Sequence, residues 1–190
     1  FGYYIGTHDD GEFSLTMYFN GFEDLCLSNT QIDDGEWHHV AGIYNGFQMK
    51  IYVDGVLENT CDAGTLVSQD ESTLITIGTY RQGSSNYQFN GLINKLSIWN
   101  DELSLSYLQE DIASFSLVNE SALVGYWSFN EGSGSTLTDL SGNGNNGTIN
   151  GASWSNDAPS NNTNSISYTP ATNLTDNTEY HWQVTAKDQS

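Results

Sequence analysis

The run Asp139-Leu-Ser-Gly-Asn-Gly-Asn-Asn-Gly147 sets three oxygen-bearing side chains, Asp139, Asn143 and Asn145, at short spacing among glycines that let backbone carbonyls turn inward. Hard cations prefer such all-oxygen surroundings, so the chemistry on offer here is calcium binding. The same Asn-Gly-Asn texture also builds ordinary turns, because Asn tolerates the left-handed region and closes Asx turns. A second candidate is aromatic. Tyr80 and Tyr87 flank the loop-like RQGSSN stretch, with Arg81 beside them, and exposed aromatic faces stack on sugar rings. Phe89, Tyr126 and Trp127 offer the same faces, but Trp99, Trp127 and Trp154 fall within or at the ends of alternating segments and read as core.

Cys26 and Cys61 stand outside any CxxC pair, and no histidine cluster accompanies them at zinc-site spacing. Each lies in a short strand-like run. A disulfide between neighbouring strands in an oxidising compartment fits them, and so do two buried free thiols. His38 and His39 invite an acid–base role, yet neighbours along a strand point to opposite faces, and no motif ties a nucleophile to either. Glycoside hydrolysis needs two carboxylates set close together. Here Asp70, Glu71, Glu110 and Asp111 sit in a turn and a helix, while Glu58 and Asp62 flank a turn. The expectation is a non-catalytic chain.

The elements that must position these residues are short and alternating. GEFSLTMYFNG puts Phe13, Leu15, Met17 and Phe19 on one strand face and turns at Asn20-Gly21. WHHVAGIYNG sets Trp37, His39, Ala41 and Ile43 opposite His38, Val40 and Tyr44, then reverses at Asn45-Gly46, a pair suited to positive φ at both positions. FQMKIYVDG carries Phe47, Met49, Ile51 and Val53 inward, with Gln48, Lys50, Tyr52 and Asp54 outward, and reverses at Asp54-Gly55. STLITIGTY, LINKLSIWN and ALVGYWSFN supply further strands. LSLSYLQEDIASF alone reads as helix, with Ser106 and Gln109 at capping-box spacing and Leu105, Leu108 and Ile112 on one face. Everything else is strand or turn, so the fold class is all-β with one short helix.

Twenty-four Asp and Glu stand against four Lys and Arg, for a formal net charge of −20. Such a surface repels phosphate backbones and anionic lipid, so nucleic acid is not an expected partner. It suits a salt-adapted secreted protein, and it equally suits carboxylates gathered around calcium. The uninterrupted apolar runs are only a few residues long, which excludes a membrane-spanning helix.

Residues 35–55, GEWHHVAGIYNGFQMKIYVDG, resemble the signature hairpin of the laminin-G-like, concanavalin A-like lectin/glucanase superfamily: G-x-W-H-H-V-A-x-x-Y, a turn, and an apolar strand ending Y-V-D-G. FNGLINKLSIWNDELSLSYLQ (89–109) is similar to the family's later strand and short helix, and LVGYWSFNEGSGSTLTDLSGNGNNGTINGASW (123–154) to a segment common in bacterial members. The resemblance implies an antiparallel two-sheet jelly-roll sandwich over residues 1–156, a structural role for Trp37, His38 and His39, and calcium at the sandwich rim. Members usually carry several strands ahead of the block that begins near Phe1, so strands of both sheets are expected to be missing or supplied by a partner segment. Residues 157–164 read as a polar linker. LTDNTEYHWQVTAKD (174–188) resembles the closing strands of a fibronectin type III domain, which makes 165–190 a partial segment of that type. The expected function is an extracellular or cell-surface, bacterial binding or adhesion module for a glycan or an extracellular protein. Its rivals are a repeat of a surface fibre that self-associates by strand donation, and an accessory arm of a carbohydrate-active enzyme.

Overall fold

The structure, a computed structural model, describes residues 2–19, 22–64, 74–79, 88–114, 120–159, 165–166, 172–173 and 181–188. Two antiparallel sheets face each other. The smaller runs β1 (Gly2–Thr7), β2 (Glu12–Phe19), β3 (Phe22–Gln31) in sequence order. The larger draws on β4 (His38–Tyr44), β5 (Gln48–Val53), β6 (Val56–Asp62), β8 (Gly91–Trp99), β9 (Leu123–Trp127), β12 (Trp154–Ser155), β13 (Ser165–Ile166) and β15 (His181–Asp188). Its order is β12-β13-β8-β15-β4-β5-β6, with β9 also paired to β8. Short pairs complete the set: β7 (Leu74–Ile75) with β14 (Thr172–Asn173), and β10 (Thr136–Leu137) with β11 (Gly147–Thr148). The all-β class expected from the alternation forms, with the two-sheet jelly roll that the resemblance implies. No helix among the described residues is long and apolar enough to cross a membrane.

Period-two alternation decides which side chains meet between the sheets. Phe13, Leu15, Met17 and Cys26 from the small sheet pack on Val40, Tyr44, Met49, Ile51 and Val53. Next to them, Ile93, Leu96 and Ile98 of β8 pack with Trp127, Phe129 and Leu137. The outer face of the large sheet is covered as well: Ala41, Ile43, Tyr52 and Trp99, with Leu123 and Tyr126 of β9, cluster with Leu103 and Leu108. Tyr52, expected outward, is therefore buried, because the helix α1 (Leu105–Ser114) and the chain around it roof that face. Phe47, expected inward, is 71% exposed, since it belongs to the turn and not to β5.

The two turns differ. Asp54 (φ 49°) and Gly55 (φ 77°) both adopt the left-handed region and make the two-residue hairpin joining β5 to β6. At the other turn only Gly46 does so (φ 92°); Asn45 acts through its side chain, whose Oδ1 accepts the N–H of Phe47 and Gln48 at 3.1 and 2.9 Å. The Asn20-Gly21 turn lies outside the described residues. The helix also starts differently: Ser104, not Ser106, caps it, its carbonyl taking the Tyr107 and Leu108 N–H groups at 3.0 and 3.2 Å. Leu105 consequently sits in the first turn, 45% exposed.

Cys26 and Cys61 form a disulfide with Cα atoms 5.7 Å apart. The strands it joins are not neighbours in one sheet. β3 and β6 are edge strands of opposite sheets, so the bond staples the sandwich shut along one side. Glu58 of β6 reinforces the staple by accepting the N–H groups of Asn29 and Thr30 at 2.7 and 2.9 Å. At the centre of the large sheet, β15 runs antiparallel to both β4 and β8. Of the segment 165–190, the described strands β13 and β15 do not pair with each other but lie on opposite sides of β8 in the large sheet.

Candidate functional site

Trp37 precedes β4, His38 and His39 open it, and Asp54 opens the turn that returns beside them. Asp54 Oδ1 accepts the His39 N–H at 2.9 Å, its own N–H donates to the His39 carbonyl at 2.8 Å, and its Oδ2 lies 2.9 Å from His38 Nδ1. His38 Nε2 lies 3.1 Å from Asp34 Oδ1. Both ring nitrogens therefore meet carboxylates. Burial works against charge on His38, but the hydrogen bonds to Asp54 and Asp34 outweigh it and hold its pKa above the ordinary histidine value. The Glu36 backbone N–H and the His38 ring in turn hold Asp34 below the usual carboxylate range. His39 points the other way and is buried. The histidine pair acts as a fastening between strand and turn.

The β10–β11 pair closes the loop that carries Asp139, Asn143 and Asn145, and the fold does bring these three together. Asp139 is buried, and its two oxygens are engaged: Oδ1 accepts the Tyr126 and Ser141 N–H groups at 3.0 and 2.9 Å, and Oδ2 accepts the Asn145 N–H at 2.9 Å. The Asn143 side-chain amide donates to the carbonyls of Leu123 and Val124 at 2.9 and 3.0 Å, and that of Asn145 to Val124 at 3.0 Å. Trp127 Nε1 donates to the Asn145 carbonyl at 3.0 Å. In this geometry the run is a clasp that docks its loop onto β9.

A third group was missed by sequence reasoning. His8, Asp10 and Glu12 bring one ligand atom each to within 4.8 Å of the others at the tip of the β1–β2 hairpin. Its signal in the sequence is H-x-D-x-E around an Asp-Gly turn, just ahead of a strand whose alternation reports only its core face.

The sequence profile of the concanavalin A-like lectin/glucanases superfamily matches residues 2–109, from β1 into the helix. The chain belongs to this superfamily. No curated protein matches it. In this concanavalin A-like sandwich the aromatic candidates divide. Tyr80, Arg81 and Tyr87 lie outside the described residues; on either side of them, Thr79 and Gln88 form an antiparallel bridge. Tyr126 and Trp127 are buried and have no face to offer a sugar.

Proposed function

We propose that this concanavalin A-like module is a non-catalytic, extracellular or cell-surface domain that binds a glycan or an extracellular protein. The observation that supports it best is the use made of its carboxylates. Asp54, Glu58 and Asp139 each accept backbone N–H bonds that fasten strands and loops. Acid–base catalysis needs carboxyl groups free to exchange protons with substrate, and a scaffold does not. The Cys26–Cys61 disulfide suits an oxidising compartment. Tyr80, Arg81 and Tyr87 remain the contacts we assign to a sugar. The intact chain on a glycan array, followed by a reducing-end assay on any glycan retained, tests the reading: retention without release is expected, and turnover would overturn it.

Calcium dependence forms part of this reading through Asp139, Asn143 and Asn145, although an ion there would compete with three N–H donors for one carboxylate. Melting the protein in chelator and in millimolar-scale calcium decides the point, since an ion bound only to the native state raises the midpoint. A second reading, a fibre repeat that exchanges strands between copies, draws support from β15, which fills a central place in the sheet from far along the chain.

A further inference from the structure

We propose that the tip of the β1–β2 hairpin binds a transition-metal dication of the zinc type through His8, Asp10 and Glu12, independently of any glycan or protein ligand. The hairpin closes with a three-residue loop: the His8 N–H donates to the Glu12 carbonyl at 2.8 Å, and the Gly11 N–H to the His8 carbonyl at 2.9 Å, with Gly11 at φ 87°. That closure sets His8 and Glu12 side by side across the hairpin, with Asp10 in the loop between them. His8 Nδ1 and Glu12 Oε2 are shut off from solvent, neither has a hydrogen-bond partner, and they stand 3.9 Å apart. The gap is too wide for a hydrogen bond. Two atoms bound tetrahedrally to one zinc ion at 2.0–2.2 Å stand about 3.4 Å apart, so a small closure seats an ion between them. Their only contact is this long ion pair, without a hydrogen bond, and a shared cation satisfies both atoms directly. The rest of each side chain stays 38% and 24% exposed, which leaves an approach for the ion.

The surroundings favour positive charge. Asp9 sits in the loop, and the Asp33 carboxylate lies against Gly11, where a Cβ would stand only 2.2 Å from Oδ1. Imidazole nitrogen with carboxylate oxygen selects zinc, copper or nickel over calcium, which prefers oxygen alone. The other His–Asp group is no rival, because both His38 nitrogens already meet carboxylates. Three protein ligands leave a position for water or for a group from outside.

Calorimetric titration of the intact chain with zinc chloride, and separately with calcium chloride, tests the site. One zinc per chain is expected. His8→Gln and Glu12→Gln should each weaken it at least tenfold while keeping the metal-free urea midpoint, and His38→Gln should leave the affinity unchanged. NMR of wild type should place the zinc-dependent shift on the His8 ring. Absence of zinc uptake, uptake that survives both His8→Gln and Glu12→Gln, or displacement by equimolar calcium would overturn the proposal.

Discussion

His38 holds its proton between two carboxylates, and that contact makes part of the stability depend on pH. Its folded pKa is raised above an unfolded value of about 6.5, so the contribution is fully present below about pH 6.5 and is lost as pH climbs through the folded value. Urea midpoints measured from about pH 6 to about pH 9 should therefore fall in the wild type. The fall should be shallower in His38→Gln; equal slopes would mean that the imidazolium contributes nothing. Asp139 works through its contacts instead, its carboxylate accepting three backbone N–H groups. Asp139→Ala leaves three backbone N–H groups without an acceptor, one of them from the strand β9, and should cost about 2–4 kcal/mol in urea unfolding. Asp139→Asn should cost less, because its amide oxygen still accepts. If the alanine variant melts with the wild type, the clasp is not structural.

At the scale of elements, the close approach of Gly125 explains why the β9 segment reads G-Y-W. A Cβ on Gly125 would stand 2.4 Å from the ring of Trp127, two residues along on the same strand face, and that ring is buried in the inner core. Gly125→Ala should destabilise by about 1–3 kcal/mol through forced repacking, read as a lowered thermal midpoint; an unchanged midpoint would show that the ring can yield. The staple between β3 and β6 closes a sequence separation of 35 residues, so reduction should cost roughly 2–4 kcal/mol. Equal urea midpoints with and without reductant would remove it from the stability argument. Alternation made β2, β4, β5 and β8 legible in the sequence, and Asp54-Gly55 announced its hairpin because both positions require positive φ. Asn45 was harder to read, since the residue that favours such a turn can also build it with its side chain. The helix cap slipped by two residues because serine stands at both 104 and 106. The outward face of β5 misled for a different reason: alternation reports which side chains share a face, not whether something distant in sequence covers it. The metal-like grouping at His8, Asp10 and Glu12 shares that blindness, because its meaning lies in which atoms the hairpin closure leaves without a hydrogen bond.

At the scale of the molecule, the large sheet holds together through a strand that the family profile does not reach. The profile ends at residue 109, whereas β15 comprises His181–Asp188. β15 is antiparallel to β4 and to β8, so these two run parallel to each other and have no ladder of their own. On one side it carries β4, β5 and β6; on the other, β8 with β9, β12 and β13. Val184 marks the middle of this bridge, paired with Val40 on one side and Leu96 on the other. Proline at that position removes a ladder donor from a central strand, where the sheet has no edge to hide the loss. Val184→Pro should therefore lower stability by roughly 3 kcal/mol or more, seen as a displaced or lost cooperative unfolding transition. Because the strand comes from the same chain, the intact protein should run as a monomer in light scattering. A dimer that Val184→Pro dissociates would mean instead that β15 reaches into a neighbouring copy, as the fibre reading requires. A Val184→Pro variant that melts with the wild type would remove β15 from the sheet altogether, and leave β4 and β8 as two open edges able to template pairing with other strands.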